Sequence, residues 1–347
     1  MGSISNNSQI RFPENFKGIF ESQARWYEER LTVARRDLCE MPIPEEFRPF
    51  FDFITERSQP SFILLPILFL EVARESGGIT DRHQDFLPAL MLSMEIIAVM
   101  DDTIDGSNTR SEHQTFPGRW GAHSSTSCVA VLMSMLIQQI ANSFPSLLDL
   151  TLEAVRGVGA KELREEFDRY PRHVDDFPRI LENRYGQTID GYRFVISSAL
   201  RLNGMADLPR ASLVPFARIG QDVDDLVNLI EDRGKQGEND DLRRGLVTSA
   251  LVQALRLQPG LAVELRELWH LRTETRLRRL DDIHRSIRTS MLTHGVTPVI
   301  DQITADVKTC EQAAPFYLQQ LMRRAGQTWL DRVAGFGRPA TTENILK

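Results

Sequence analysis

Hydrophobic residues recur at intervals of three and four along nearly the whole chain, and the alternation of apolar and polar residues that is typical of strands is scarce. This pattern predicts an all-α protein. The predicted helices cover about 16–40, 45–56, 62–75, 81–105, 129–141, 145–155, 175–203, 211–231, 242–257, 261–291, 298–324 and 328–333. Between them, the sequence predicts a polar loop over 107–125 and a charged loop over 232–241.

The order of these helices predicts one domain. No internal repeat and no low-complexity linker divides the chain, so we expect a helical domain over 13–335 with short tails at 1–12 and 336–347. The longest apolar stretch, 62–73, is interrupted by a proline and a glutamate and is too short to cross a bilayer. The polar start of the chain, 1–9, lacks the apolar core of a secretory signal. The sequence therefore predicts no membrane span.

Three aspartates close the predicted helix over 81–105. Asp101 and Asp105 are four residues apart and Asp102 and Asp105 are three apart, so they share one helical face. Carboxylates at the C-terminal end of a helix oppose its dipole, which weakens the alternative of a merely solvated acidic end. Mg²⁺ accepts such carboxylates and takes its other ligands from water and substrate phosphates. This helix end is therefore a candidate metal or phosphate site.

A second acidic cluster lies in the predicted helix over 211–231. Asp224, Asn228 and Asp232 are spaced by four residues and line one stripe, with Asp225 beside them. If the two acidic helices face each other, we expect their carboxylates to hold Mg²⁺ ions that a diphosphate bridges. The cations expected to assist, each of which is otherwise an ordinary surface charge, are Arg110, Arg184, Arg193 and Lys235.

Composition and charge indicate which classes of binding partner and which cellular compartment to expect. The 347 residues include 41 basic and 48 acidic ones, which gives a formal net charge of −7, and no basic tract is longer than a pair. This balance argues against nucleic acid as a partner. The three cysteines, Cys39, Cys128 and Cys310, are too widely spaced for a disulfide framework or a zinc site. We therefore expect a reducing compartment, the cytoplasm.

The two acidic clusters together resemble a known family. The motifs that are similar to those of the trans-isoprenyl diphosphate synthases, and more broadly of the class I terpenoid synthases, are Asp101-Asp102-x-x-Asp105 with Arg110, Gln221-x-x-Asp224-Asp225, Gly234-Lys235 and Asp241-Leu242-x-x-Gly245. The resemblance covers about residues 45–325. It implies a single-domain helical bundle around a central cavity, an allylic prenyl diphosphate as substrate, three Mg²⁺ ions and a homodimer.

The resemblance also implies roles for individual residues. The catalytic carboxylates would be Asp101, Asp102, Asp105, Asp224 and Asp225. The metal ligands would be Asp101, Asp102, Asp105, Asp224, Asn228 and Asp232. Arg110, Arg184, Arg193 and Lys235 would bind the diphosphate.

Some positions depart from the motifs of enzymes that add isopentenyl diphosphate. Glu56 and Gln59 stand where a Lys and an Arg would fall, and Ser111 stands where the second Arg of a pair would fall. The cations for a second diphosphate are therefore missing, and such charge-assisted contacts are the strong ones. The stripe in the second cluster is similar in spacing to the metal triad of terpene cyclases, and Arg184 resembles their diphosphate-sensing arginine.

These departures decide the order of the functional hypotheses. The first is a Mg²⁺-dependent terpene synthase that ionises a farnesyl- or geranylgeranyl-type diphosphate, or a longer one, and cyclises or rearranges the carbocation. The alternative is a prenyltransferase that extends the chain or uses another acceptor, and a third hypothesis is an inactive partner subunit of a prenyl synthase. Apolar residues such as Phe50, Phe53 and Trp120 either line the carbocation pocket or fill the core.

Overall fold

A computed structural model of the protein describes residues 14–55, 64–110, 113–230, 241–270 and 277–334. Within these ranges the protein is α-helical, which confirms the predicted fold class, and a hairpin of two-residue strands is the exception. The helices are α1 (Glu14–Cys39), α2 (Arg48–Thr55), α3 (Leu64–Glu75), α4 (Asp81–Asp105), α5 (Phe116–Ser143), α6 (Leu148–Asp168), α7 (Phe177–Leu202), α8 (Arg210–Ile230), α9 (Ser249–Leu257), α10 (Leu261–His270), α11 (Leu277–Ser290), α12 (Val296–Ala313) and α13 (Phe316–Ala334). The strands are β1 (Thr109–Arg110) and β2 (His113–Gln114).

The chain divides into two compact units. The first, which we call the α4 unit, comprises Met1–Val158 and Asp190–Leu208, and the second, the α8 unit, comprises Gly159–Ile189 and Pro209–Lys347. Helix α4 forms the core of its unit and is buried along most of its length. In the α8 unit, α8 packs against α12 and α13 through its buried apolar face. The expected tails at 1–12 and 336–347 lie outside the described residues, so the domain limits stay predictions.

Helix α5 begins thirteen residues before the predicted start at 129, inside the expected loop. The Thr115 side chain accepts a hydrogen bond from the Gly118 N–H and so caps the new helix end, and Pro117 occupies its first turn. A kink at Gly121, with φ 82° and ψ 162°, then redirects the chain. By length and composition alone, α5 is the one helix in the described ranges that is apolar enough to cross a membrane, and 28% of its apolar window is buried.

Two other predicted helices were placed wrongly. The expected helix over 242–257 begins only at Ser249, because Gly245 adopts a left-handed conformation (φ +75°) and Thr248 caps the helix. The expected helix over 298–324 is two helices, because Ala314 precedes a proline and adopts an extended conformation.

Candidate active site

The first acidic cluster lies in the last turn of α4. Asp101 and Asp105 are partly accessible, whereas Asp102 is fully buried. Neighbouring residues on a helix point about 100° apart, so adjacent aspartates face different surroundings. Gly106 adopts a left-handed conformation (φ 64°) and ends the helix, and the N–H of Ser107 donates to the Asp102 carbonyl at 2.9 Å.

The loop after this cluster is packed closely against the start of α5. The N–H of Thr115 donates to the Asn108 carbonyl at 3.0 Å, and the Thr115 hydroxyl donates to the Ser107 carbonyl. A Cβ atom at position 118 would lie 2.3 Å from the Asn108 carbonyl oxygen, so only glycine fits there. The side chain of Arg110 and residues 111 and 112 lie outside the described part of this loop.

The second acidic cluster, on α8, divides in the same way. Asp222 and Asp225 are buried, Asp224 is exposed, and Asn228 is partly accessible. The Asn228 amide donates to the Asp224 carboxylate at 3.3 Å, so the two accessible members are neighbours, as their spacing predicts. Asp232, the predicted third member of the stripe, lies outside the described residues.

The buried Asp225 forms an ion pair with Arg184 of α7. The terminal nitrogens of Arg184 donate to the two Asp225 carboxylate oxygens at 3.0 and 3.2 Å, and Nη1 also donates to the Val247 carbonyl at 3.0 Å. Its Nε donates to Glu165 at 3.3 Å. The amide of Gln221 adds a donor to Asp225 at 2.8 Å. The structure thus gives Arg184 protein partners on all three nitrogens, and its predicted contact with a diphosphate stays a prediction.

Burial and charge act in opposite directions on this pair. Burial alone would lower the pKa of Arg184, but the carboxylates of Asp225 and Glu165 raise that pKa above its ordinary value. Burial also raises the pKa of Asp225, and the Arg184 guanidinium opposes that rise. The paired hydrogen bonds offset the cost of burying both charges.

Asp222 is held by hydroxyl groups instead of a cation. The Tyr185 hydroxyl donates to Asp222 Oδ1 at 2.9 Å, and the Ser249 hydroxyl donates to the same oxygen at 2.6 Å. Burial raises the pKa of Asp222 to about 6, and the two hydroxyl donors oppose that rise. Arg218 lies over the Tyr185 ring at 5.8 Å and pairs with Asp306 at 3.0 Å, which ties this group to α12.

Comparisons with solved structures identify the fold. The chain is similar to a decaprenyl diphosphate synthase from Rhodobacter capsulatus (16% identity, 91% of this chain and 99% of that chain, TM-score 0.70) and to a geranylgeranyl pyrophosphate synthase from Lactobacillus brevis (17%, 89% and 98%, 0.67). It is also similar to a polyprenyl synthase from Caulobacter crescentus complexed with calcium and isoprenyl diphosphate (15%, 91% and 97%, 0.66). The chain has the trans-isoprenyl diphosphate synthase fold. No protein-family profile and no curated protein matches it.

Two further cations, Arg193 and Lys235, were predicted to bind the diphosphate. Arg193 of α7 belongs to the α4 unit and donates to Glu153 at 2.7 Å in a largely exposed pair. Lys235 lies outside the described residues. Phe50 and Phe53 each pack on Trp120, with ring centroids 5.1 and 4.7 Å from that of Trp120.

Sequence reasoning missed the partners that hold the second cluster. Glu165, Tyr185 and Ser249 come from three other helices, and helical spacing gives no signal for contacts between helices that are distant in sequence. The sequence indicated Gln221 only as a member of the second motif.

The accessible donors fit a hard cation. Asp101, Asp105, Asp224 and Asn228 offer oxygen ligands, which suit Mg²⁺ better than a softer metal. Within the described ranges, no group of three or more His, Cys, Asp or Glu side chains is placed to hold a metal ion. The site of a metal is therefore a proposal that rests on the chemistry of the donors.

Proposed function

We propose that this protein is a Mg²⁺-dependent prenyltransferase that acts on an allylic prenyl diphosphate. The observation that carries the proposal is the shared division of two acidic clusters within this fold: each Asp-Asp pair has an accessible first member, Asp101 or Asp224, and a buried second member, Asp102 or Asp225. The solved structures described above, to which the chain is similar, are prenyl synthases, and one of them is complexed with calcium and isoprenyl diphosphate. This favours prenyl transfer over the cyclisation that the sequence placed first.

The division suggests two kinds of role for the carboxylates. The accessible oxygen donors on each helix would bind Mg²⁺: Asp101 and Asp105 on α4, and Asp224 and Asn228, with the predicted Asp232, on α8. Mg²⁺, in the three ions that the resemblance implies, would neutralise the charge that develops on the departing diphosphate. Arg110 and Lys235 would bind the diphosphate oxygens. Asp225, and Asp102, which the resemblance implies as a further metal ligand, are buried and in this proposal would act indirectly, by fixing the helices that present the other ligands.

A second candidate, the terpene synthase, is favoured by a specific observation. Glu56, Gln59 and Ser111 stand where cations for isopentenyl diphosphate would be expected. Without that second diphosphate, an ionised allylic chain would react with its own double bonds or with water. The two candidates therefore differ in what accepts the allylic group: a second substrate in the prenyltransferase, and the chain's own double bonds or water in the terpene synthase.

The experiment is an incubation of the purified protein with Mg²⁺ and farnesyl or geranylgeranyl diphosphate, with and without isopentenyl diphosphate. A longer diphosphate that forms only with the second substrate supports the prenyltransferase. A hydrocarbon or alcohol that forms without it supports the terpene synthase. If no pyrophosphate is released under any condition, both proposals are wrong and the inactive partner subunit is favoured. The Asp224→Asn variant shows whether release depends on the accessible cluster.

We infer that the expected homodimer forms through α5. Val129, Met133 and Ile137 are spaced by four residues on this apolar helix and are partly accessible. Burying such a stripe against a second copy removes apolar surface from water. Met133→Glu is expected to convert a dimer to a monomer in light scattering after gel filtration. Flotation with lipid vesicles, abolished by the same change, would instead indicate a membrane surface.

A further inference from the structure

The turn over Asp241–Gly245 is hydrogen-bonded to aromatic residues from two other segments of the α8 unit. The Tyr170 N–H donates to the Gly245 carbonyl at 3.0 Å, and the Tyr170 hydroxyl donates to the Arg243 carbonyl at 3.0 Å. The Trp269 indole donates to the Leu242 carbonyl at 2.8 Å. The rings of Tyr170 and Trp269 meet edge to face with centroids 6.3 Å apart. Three carbonyls of one short turn are thus bound by two side chains and one backbone group.

The ring of Tyr170 packs directly against the backbone of Gly245. A Cβ atom at position 245 would lie 2.3 Å from Cδ1 of Tyr170, and φ of Gly245 is +75°. Tyr170 itself has φ 54°, the one positive value outside glycine among the described residues. A bulky side chain rarely adopts this conformation, so the surrounding contacts must hold it there. The pair therefore fixes the turn in one position.

The residues that follow this turn support the second acidic cluster. Val247 accepts a hydrogen bond from Arg184, which pairs with Asp225. Ser249 donates to Asp222. A shift of the turn would move both contacts, and with them the helix that presents Asp224.

We propose that Tyr170 is a positioning residue for the second acidic cluster, because its clamp on Gly245 fixes the segment 246–249 that holds Arg184 and Asp222. The role in turnover rests on the proposed function, whereas the role in placing α8 does not. A displacement of about 1 Å at a reacting group costs up to about 100-fold in rate. The clamp is thus expected to affect kcat more than substrate affinity.

The test compares Gly245→Ala, Tyr170→Ala, Tyr170→Phe and the double variant Tyr170→Ala/Gly245→Ala. Gly204→Ala is the matched control, because Gly204 has φ +70° and nothing within 4 Å of a Cβ atom. Two measurements are made: kcat and KM with the active allylic diphosphate, and hydrogen exchange of the protein without ligand. Gly245→Ala is expected to lower kcat about ten-fold or more with KM changed less than about three-fold, and to speed exchange over 222–228 and 246–249 but not in α13.

The double variant is expected to differ from Tyr170→Ala only as much as Gly204→Ala differs from the wild type, since the added methyl group then meets no ring and only the left-handed backbone strain remains. Tyr170→Phe, which keeps the ring, is expected to retain most of the wild-type kcat. The proposal is wrong if Gly245→Ala matches Gly204→Ala, or if exchange rises equally in α13, which indicates general destabilisation. If Gly245→Ala does not fold, the two Tyr170 variants decide. If the wild type releases no pyrophosphate, the proposed function fails, and the local exchange pattern alone decides the positioning role.

Discussion

The two acidic clusters have similar sequences but are held in place by different interactions. On α8, the buried Asp225 is fixed by side chains, with two hydrogen bonds from Arg184 and one from Gln221. After α4, the loop that follows the cluster is fixed by backbone packing, through the left-handed Gly106 and the tight approach of Gly118 to Asn108. The α8 cluster should therefore be most sensitive to loss of charge, and the α4 loop to added volume.

Loss of the buried cation is expected to have the largest effect. Replacing Arg184 by Met leaves the buried Asp225 without its cation and also removes the partner of the partly exposed Glu165; loss of one partner of a buried ion pair typically costs about 3–5 kcal/mol of unfolding free energy. Urea denaturation followed by circular dichroism measures the change. Arg193→Met is the matched control, because its pair with Glu153 is largely exposed and is worth at most about 1 kcal/mol. Equal losses in the two variants would show that the Arg184 pair is not a fixed support.

Removal of an accessible carboxylate is expected to affect turnover and not stability. Asp224→Asn keeps the size of the side chain but removes a charge from the proposed metal site, so pyrophosphate release should fall on the order of 100-fold. The free energy of unfolding should stay within about 0.5 kcal/mol of the wild-type value, since Asp224 is exposed. Asp225→Asn should instead lower stability. If Asp224→Asn retains full turnover, the accessible stripe does not bind the metal.

Added volume at the α4 loop is expected to have a moderate effect. Gly118→Ala forces a methyl group against the Asn108 carbonyl, and such overpacking costs about 1–3 kcal/mol. Gly159→Ala on α6 is the control, because a Cβ atom there meets nothing within 4 Å and alanine favours the helix by up to about 1 kcal/mol. Thermal unfolding of both variants should therefore shift in opposite directions. A stabilised Gly118→Ala variant would show that the loop shifts to accommodate the added methyl group without cost.

The sequence was sufficient to predict the fold class and to predict which residues share one face of a helix. Helical period predicted α4 and α8 closely, and it predicted that Asp224 and Asn228 would be neighbours. It failed where a local cap overrides the pattern, as at Thr115 before α5. It also gave no signal for the ion pair between Arg184 and Asp225, because that contact depends on the packing of α7 on α8. Contacts across helices carry no periodic signal in one chain.

The smallest expected effect is the pH dependence of the start of α4. His83 is buried, its Nδ1 accepts a hydrogen bond from the Thr80 N–H, and its Nε2 lies 3.2 Å from the Ala199 carbonyl. Burial lowers the pKa of His83 below 6.5, the nearby Arg82 lowers it further, and the Ala199 carbonyl opposes them. Because the unfolded chain then binds the proton more readily, the stability contributed by neutral His83 is present above about pH 6.5 and is lost as the pH falls below that value.

This sign is opposite to that of Asp222 on α8: because folding raises its pKa from 3.8 to about 6, the unfolded chain releases the proton more readily, and stability is lost as the pH rises from about 3.8 to about 6. The His83→Gln variant, which cannot titrate, isolates the α4 contribution when its urea denaturation is compared with the wild type between about pH 5 and 8. The difference in unfolding free energy between the two proteins should shrink steadily towards acid pH, since protonation removes what neutral His83 contributes. A difference that stays constant across this range would mean that folding leaves the pKa of His83 unchanged, so that the start of α4 contributes no pH dependence to stability.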